Sequence, residues 1–378
     1  MAETAVRKTY KYQLNPTPAQ ARVLATVLWH CRTLYNTALE QRKTWWGRGQ
    51  SKSATYYQQK AELPDLKAAL PEYAAVHSQV LQDVLLRIER TFAAFFQRIQ
   101  EGQTPGYPRF QGANRYHSFT YPQYGHGAVL DGSVLNLSKI GRIRIRLHRP
   151  LPGGLQGTPK TVTISKEADG WYACISCADV PVEPLPRTGQ ETGIDVGLNA
   201  FLVTADGVFV ENPHHYRREE KRLKKAQRVV SRRKKGSHRR KKAVQLLAKK
   251  HQKVRRQRQD FHHKTALALV RQYDVIYLED LRVRNLVRNH HLAKSISDAG
   301  WAQFRTTLEY KAACAGKRVV AVEPAYTSQD CSGCGTRVRK SLSVRTHVCT
   351  ACGLVLDRDE NAARNILRLG QSRRGAVA

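Results

Sequence analysis

Residues 192–204, TGIDVGLNAFLVT, place one carboxylate, Asp195, in a run that otherwise reads as buried β-strand. An acid in an apolar strand is costly unless it is paired or binds a cation. The fold must therefore bring it a partner, and few arrangements can. Gly193 and Gly197 flank Asp195 on the same face by period-2 alternation, which predicts an open floor around the acid, and a second strand, 200–204, follows at once. For Asp195 alone two readings stand: a buried acid satisfied by a backbone or arginine partner, or a functional group.

Two later stretches bear on that choice. Residues 273–280, YDVIYLED, read as an apolar strand ending in Glu279, and 356–367, LDRDENAARNIL, as a helix start. There Asp357 is the expected N-cap, with Glu360 three residues on completing a capping box. Asp359 falls in the first turn and shares a helix face with Ala362, Ala363 and Ile366. The two alanines let the helix approach a sheet closely enough for a short aspartate to reach its surface. Carboxylates on two strands and a helix can hold two divalent cations for phosphodiester hydrolysis. All-oxygen ligands favour Mg²⁺ or Mn²⁺.

Charge names the partner. Lys and Arg number 64 against 30 Asp and Glu, a formal +34 with pI near 10.2, which calls for a polyanion, with nucleic acid favoured over an anionic membrane surface. No apolar run approaches a membrane span and the N-terminus lacks a signal peptide's apolar centre, so a cytoplasmic, nucleoid-associated protein is expected. The excess is concentrated. RIRIRLHR (142–149) alternates Ile or Leu with Arg142, Arg144 and Arg146, giving one apolar face and one cationic row. Residues 217–258 hold 21 Lys or Arg against Glu219 and Glu220. Leu223, Ala226, Val229, Val230, Val244, Leu247 and Ala248 recur there at helical spacing, predicting two basic helices joined near Gly236 and Ser237 and seated by an apolar stripe. Arg232, Arg233, Lys234, Lys235, Arg239 and Arg240 cluster about that joint as nucleic-acid contacts. A third basic segment is 282–291.

Among eight cysteines, CSGCG (331–335) and CTACG (349–353) stand with fourteen residues between Cys334 and Cys349. Cys331, Cys334, Cys349 and Cys352 match a closed, structural four-cysteine zinc site, and Gly335 and Gly353 suit the tight turns. Cys174 and Cys177 form a CxxC with no second pair nearby and read as strand filling.

At 378 residues and 41% hydrophobic content the chain can hold two or three domains with real cores. The pattern predicts a strand over 4–14, helices over 21–42 and 76–99, and strands over 118–121, 134–137, 140–147, 161–165 and 171–178, as in a small barrel or sandwich. Trp29, Tyr35, Phe92, Phe95 and Phe96 are expected in the helical core, and the segment carrying Trp45, Trp46, Tyr56 and Tyr57 partly exposed. Residues 181–190, PVEPLPRTGQ, read as a linker. A helix over 295–316 and a strand over 319–322 precede the cysteines.

GIDVG, YLEDL, the basic helices, SDAGW (297–301), SQDCSGCG, CxxCG and DRDENAARNI occur in the order found in TnpB proteins of bacterial insertion sequences. RTLYN (32–36), SQVLQ (78–82) and GYPRF (106–110) extend the resemblance over nearly the whole chain. The resemblance implies a multidomain α+β and α/β protein: a wedge β-barrel with an inserted helical recognition domain, then a RuvC domain of RNase H-like fold with an inserted zinc ribbon. The implied boundaries are 1–15 for the first wedge strand, 16–104 for the recognition domain and 105–188 for the barrel and linker. RuvC follows over 189–326, the zinc ribbon over 327–355, and the final RuvC helix and tail over 356–378. It also implies an RNA-guided endonuclease cutting double-stranded DNA beside a short motif, with a guide RNA from its own element; the sequence leaves the oligomeric state open, with a monomer expected. Its catalytic, magnesium-binding acids fall on Asp195, Glu279 and Asp359, and its zinc ligands on the four cysteines. Motif reading would fall on Gln82 and Thr120. The competing readings are a strand-transfer transposase, a guided DNA-binding repressor without cleavage, and a zinc-ribbon RNA-binding protein.

Overall fold

The computed structural model describes residues 5–47, 54–148, 156–341 and 344–375. Residues 1–4 of the first expected strand, Arg149 of the cationic row, 342–343 of the expected ribbon and 376–378 of the tail lie outside them, as does the side chain of Trp46. The chain forms two compact units, Ala5–Pro181 and Val182 onward.

The first unit opens with β1 (Ala5–Asn15) and a 30-residue helix, α1 (Pro18–Gly47). Short helices α2 (Tyr56–Ala61) and α3 (Leu63–Ala69) and a 3-10 turn lead to α4 (Ser78–Gln100). Six strands follow: β2 (Ser118–Tyr121), β3 (Ala128–Asp131), β4 (Val134–Leu137), β5 (Gly141–Arg146), β6 (Thr158–Glu167) and β7 (Gly170–Pro181). They form one antiparallel sheet in the order β2-β6-β7-β1-β5-β4-β3. Among the described residues no pairing of β2 with β3 closes the sheet, so the expected barrel is a half-barrel with those strands at its two edges. Alternation puts Phe119, Leu135, Ile143, Ile145, Val162 and Ile164 into one core with Leu24, Leu39, Leu81 and Ile88 of α1 and α4. Tyr35 and Phe92 belong to that core, but Trp29 and Phe96 are about half exposed, contrary to expectation. Trp29 lies off the buried stripe of α1, whereas Phe96 continues the row of Val84, Ile88 and Phe92 and stacks on Phe92 but stands in the exposed last turns of α4. Cys174 and Cys177, three apart on β7, point to opposite faces, so a strand cannot aim both at one metal.

The second unit begins with residues that were expected to be a linker. They are coil, yet pinned: the Thr188 and Gly189 amides donate to Asp274 at 3.1 and 2.9 Å, and Lys317 donates to the Pro186 carbonyl at 2.6 Å. Then come β8 (Glu191–Val196), β9 (Ala200–Thr204) and β10 (Phe209–Glu211), and the basic helices α5 (His215–Arg232) and α6 (His238–Gln272). Next are β11 (Val275–Glu279), α7 (Val283–Leu286), α8 (His290–Ala299), α9 (Trp301–Cys314) and β12 (Arg318–Val322). A hairpin of β13 (Thr346–Val348) and β14 (Val355–Asp357) precedes the last helix, α10 (Arg358–Gly375). The sheet order is β10-β9-β8-β11-β12, antiparallel up to β8 and parallel across β8, β11 and β12.

The single helix expected over 295–316 is two. Gly300 breaks it at φ +69°, where Arg258 and His262 side chains crowd the position a Cβ would take. Asp298, just before the break, caps α5 from outside by accepting from the Tyr216 and Arg217 amides at 2.8 and 3.1 Å. The SDAGW run is thereby accounted for as a joint. Seating of the basic helices is uneven: Leu223, Ala226 and Val230 are buried, Val229 is exposed, and Val244, Leu247 and Ala248 on the first half of α6 are only partly covered or exposed.

Candidate active site and zinc centre

β8 and β11 run parallel with Leu278 opposite Ile194, so the register carries Glu279 to the side of Asp195 at the carboxyl ends of both strands. The third acid arrives on α10. Asp357 Oδ1 accepts from the Asp359 and Glu360 amides at 2.8 and 3.3 Å, which is the expected cap. The second half of the expected capping box is absent, because Glu360 instead takes Arg364 at 2.7 Å. Ala362, Ala363 and Ile366 are wholly buried against the sheet.

The floor beside Asp195 is not open. A Cβ on Gly193 would lie 2.2 Å from the Ala363 carbonyl and 2.5 Å from the Leu367 nitrogen, so the α10 backbone rests directly on this glycine. Farther along α10, Gly370 is required for the same kind of reason, since the Tyr277 ring of β11 fills its Cβ position. A Cβ on Gly197 would stand 3.8 Å from Asp359 Oδ2, which sets the Asp359 carboxylate over the end of β8.

Crowding three acids together shows in their proton affinities. Asp195 is raised well above the usual carboxylate range, first by burial and then by repulsion from Glu279 and Asp359, with Arg358 and Arg345 opposing. Burial also raises Glu279, opposed by the Thr327 hydroxyl, and Asp359, opposed by Arg345. Arg345 Nη1 lies 3.3 Å from Asp359 Oδ1. A buried carboxylate pushed up by two neighbouring acids forms with them a donor set that a divalent cation would relieve. They are less tightly gathered than the thiols: among the described residues the four cysteines alone form a group of three or more candidate ligands all within 4.8 Å.

In that second group the sulfurs of Cys331 and Cys352, and of Cys334 and Cys349, are 3.6 Å apart. Gly335 and Gly353 take φ +80° and +74°, and their amides close the turns onto the Cys331 and Cys349 carbonyls at 2.8 and 2.9 Å. The donor set, spacing and glycine turns fit zinc.

The basic residues divide by what they already touch. Arg142, Arg144 and Arg146 stand exposed on one face of β5, with Ile143 and Ile145 buried on the other. Arg232, Arg233, Lys234, Lys235 and Arg239 are exposed around the α5–α6 joint. Arg240 differs: Nη1 donates to the Val230 and Arg233 carbonyls at 2.8 and 3.1 Å, closing the turn. Gln82 is half-buried on α4, and the Thr120 hydroxyl accepts from Arg87 at 2.7 Å and lies 2.9 Å from that of Thr163. Sequence reasoning passed over Thr327, Arg345, Asn361 and Asn365. The one available signal was the pair of asparagines four apart in NAARN, since asparagine is a poor helix-interior residue unless something bonds it. No helix of the described residues is long and apolar enough to cross a membrane.

Three family models match this chain. That of the insertion-sequence OrfB proteins of the IS605 type, described as "Probable transposase", matches residues 173–290. The Cas12f1-like TNB domain matches residues 301–366 and a helix-turn-helix domain residues 1–51. The described part of that last segment is β1 and the single helix α1. A "Putative RNA-guided DNA endonuclease" of Streptomyces pristinaespiralis is 39% identical over 97% of this chain and 90% of its own length. "Putative RNA-guided DNA endonuclease InsQ" of Escherichia coli K12 is 30% identical over 97% and 92%. Among solved structures, the Cas12f1–sgRNA–target DNA complex matches with a TM-score of 0.58 at 12% identity, over 96% of this chain and 99% of that one, a likeness of fold.

Proposed function

Since the chain belongs to the TnpB family, we propose that it is an RNA-guided DNA endonuclease whose cleavage centre is Asp195, Glu279 and Asp359. The observation carrying this reading is the meeting of three carboxylates from β8, β11 and α10 at the carboxyl ends of two inner strands of a mixed five-stranded sheet, where Glu279 and Asp359 raise the proton affinity of buried Asp195. That sheet order supports a RuvC-type, RNase H-like unit. The residues fit a pair of Mg²⁺ or Mn²⁺ ions, which would supply the Lewis acidity that activates water and stabilises the leaving oxygen.

The protein's own part is arrangement. β8 and β11 present two carboxylates from neighbouring parallel strands, and α10, resting on Gly193, lowers the third onto them. Arg345 beside Asp359 opposes the rise that burial gives that acid's proton affinity and tempers the local negative charge against which a phosphodiester must approach. The exposed arginines of β5 and the cationic α5–α6 joint offer backbone-binding surface for guide RNA and target DNA. Base pairing with the guide would supply sequence specificity, while the protein grips backbones and reads a short adjacent motif, for which Gln82 and Thr120 stand as candidates. The four cysteines would hold a structural zinc.

The deciding experiment reconstitutes RNA-free protein with a synthetic guide and a plasmid bearing a matched target. Cutting should need the guide, the match and Mg²⁺ or Mn²⁺. Equal site-specific cutting with and without guide would return the chain to unguided transposon nucleases.

A further inference from the structure

The cysteine module touches two of the three acids. Thr327, 5% exposed, lies between β12 and the first CxxC, and its hydroxyl donates to Glu279 Oε1. Its carbonyl accepts from Asn365 Nδ2 at 2.8 Å, and the same amide nitrogen donates to the Asp330 carbonyl at 2.6 Å. One turn back on α10, Asn361 donates to the Asp330 carbonyl at 2.8 Å and accepts from the Ser332 amide at 2.9 Å, inside the first CxxC loop. Both asparagine side chains are buried, at 0% and 2% exposure. From the other half of the module, Arg345 reaches Asp359.

Buried amides are costly unless their hydrogen bonds are made. Here four such bonds tie one face of α10 to the cysteine loop, while Asp359, two residues before Asn361, projects from the other side of the same helix. The contact with Glu279 has a specific consequence. A glutamate at a strand end can rotate about three side-chain bonds, and the Thr327 hydroxyl fixes one oxygen of a carboxylate whose charge already bears on Asp195. Groups that orient a metal's ligands from behind set affinity without touching the metal.

We propose that Thr327 is a positioning residue through which the cysteine module, seated on α10 by Asn361 and Asn365, presets Glu279 for divalent cations, so that the zinc knuckle is part of the cleavage centre's alignment. This rests on the reading of Asp195, Glu279 and Asp359 as cation ligands. It assigns Thr327 no contact with substrate.

The test uses the full chain. Thr327→Val keeps the shape and removes the hydroxyl; Thr327→Ser keeps the hydroxyl. The readouts are zinc content, guide binding, Mn²⁺ affinity by calorimetry on protein stripped of Mg²⁺ and Mn²⁺, and the Mn²⁺ concentration giving half-maximal cleavage. Thr327→Val should keep zinc and guide binding, yet bind Mn²⁺ about 10- to 100-fold more weakly and need correspondingly more for cleavage, while Thr327→Ser stays near wild type. Unchanged Mn²⁺ affinity in Thr327→Val overturns the proposal, as does equal weakening in both variants, since Thr327→Ser retains the hydroxyl and should rescue. If Thr327→Val does not fold, Asn365→Ala carries the question, since it removes the donors beneath Thr327 and leaves Glu279 untouched. Weaker Mn²⁺ binding at full zinc occupancy supports the proposal, and unaltered binding defeats it. Glu279→Ala is the control on the premise: if it binds Mn²⁺ and cuts like wild type, the acid assignment fails, whatever Thr327 does.

Discussion

Gly193→Ala perturbs the support on which the three acids meet. The new methyl would stand 2.2 Å from the Ala363 carbonyl and 2.5 Å from the Leu367 nitrogen, where ordinary contact begins at 3.4 Å. Both obstacles are helix backbone and cannot swing aside, so α10 must retreat by roughly 1 Å at this point. Overpacking of this kind costs about 1–3 kcal/mol, which in a unit this large lowers Tm by roughly 2–12 °C. The larger effect is on alignment. Asp359 sits one turn before Ala363 on the same helix and moves with it, and a misplacement of about 1 Å can cost on the order of 100-fold in rate. Single-turnover cleavage by the guide-loaded protein should therefore fall about 100-fold, while thermal melting stays cooperative and guide and target binding survive. Gly106→Ala is the control, since nothing lies within 4 Å of a Cβ there. Wild-type cleavage by Gly193→Ala with unchanged Tm would refute the reasoning, and so would an equal loss in Gly106→Ala.

The two neighbouring aspartates should separate cleanly. Asp359→Ala should end cleavage with target binding intact, whereas Asp357→Ala, which removes the α10 cap, should cost about 1 kcal/mol of stability and leave cutting measurable; the reverse result would reassign the third acid. Asp195 also makes a pH prediction. Its folded-state proton affinity is raised above the ordinary 3.8, so the stabilisation it contributes is full below about pH 4 and lost as pH rises through the raised value. In chelator-treated buffer, Asp195→Asn should melt higher than wild type above that window and alike below it; parallel melting curves at all pH values would exclude the raised proton affinity that burial and the two neighbouring acids give Asp195. At the helix joint, replacing Arg232, Arg233, Lys234 and Lys235 by Ala should flatten the salt dependence of RNA binding by about 3 in log–log slope if all four meet phosphates. Arg240→Ala should instead lower Tm first, because that guanidinium closes the turn.

Much of the frame was legible because its signals are short-range. Short β-type runs marked β2 and β4, alternation marked β5, helical spacing marked α5 and α6 with their joint near Gly236 and Ser237, and the apolar runs around Asp195 and Glu279 marked strands. The four cysteines came together because CxxC spacing with glycine turns builds each half of the cluster from a few adjacent residues. Errors arose where packing overrides pattern. Trp29 lies off the covered stripe of its helix, Phe96 lies past its covered end, Gly300 interrupts an apparently continuous helix, and among the described residues the sheet of the first unit stays open between β2 and β3.

By itself the sequence determined which residue types stand at which intervals: an acid on each of two strands and one helix, two thiol pairs, and cationic helices. Tertiary structure alone decided who meets whom. The parallel register of β8 and β11 puts Glu279 beside Asp195, and Gly193 is small because a helix 170 residues later lies on it. Thr327 faces Glu279 across 48 residues, and Asn365 reaches the Thr327 carbonyl across 38. Arg240 and Thr120, candidates for nucleic acid by type, each make bonds within the protein. A hydrogen bond between distant residues leaves no period in the chain, because its geometry exists only once the sheet order has been chosen and the helix has been laid across it.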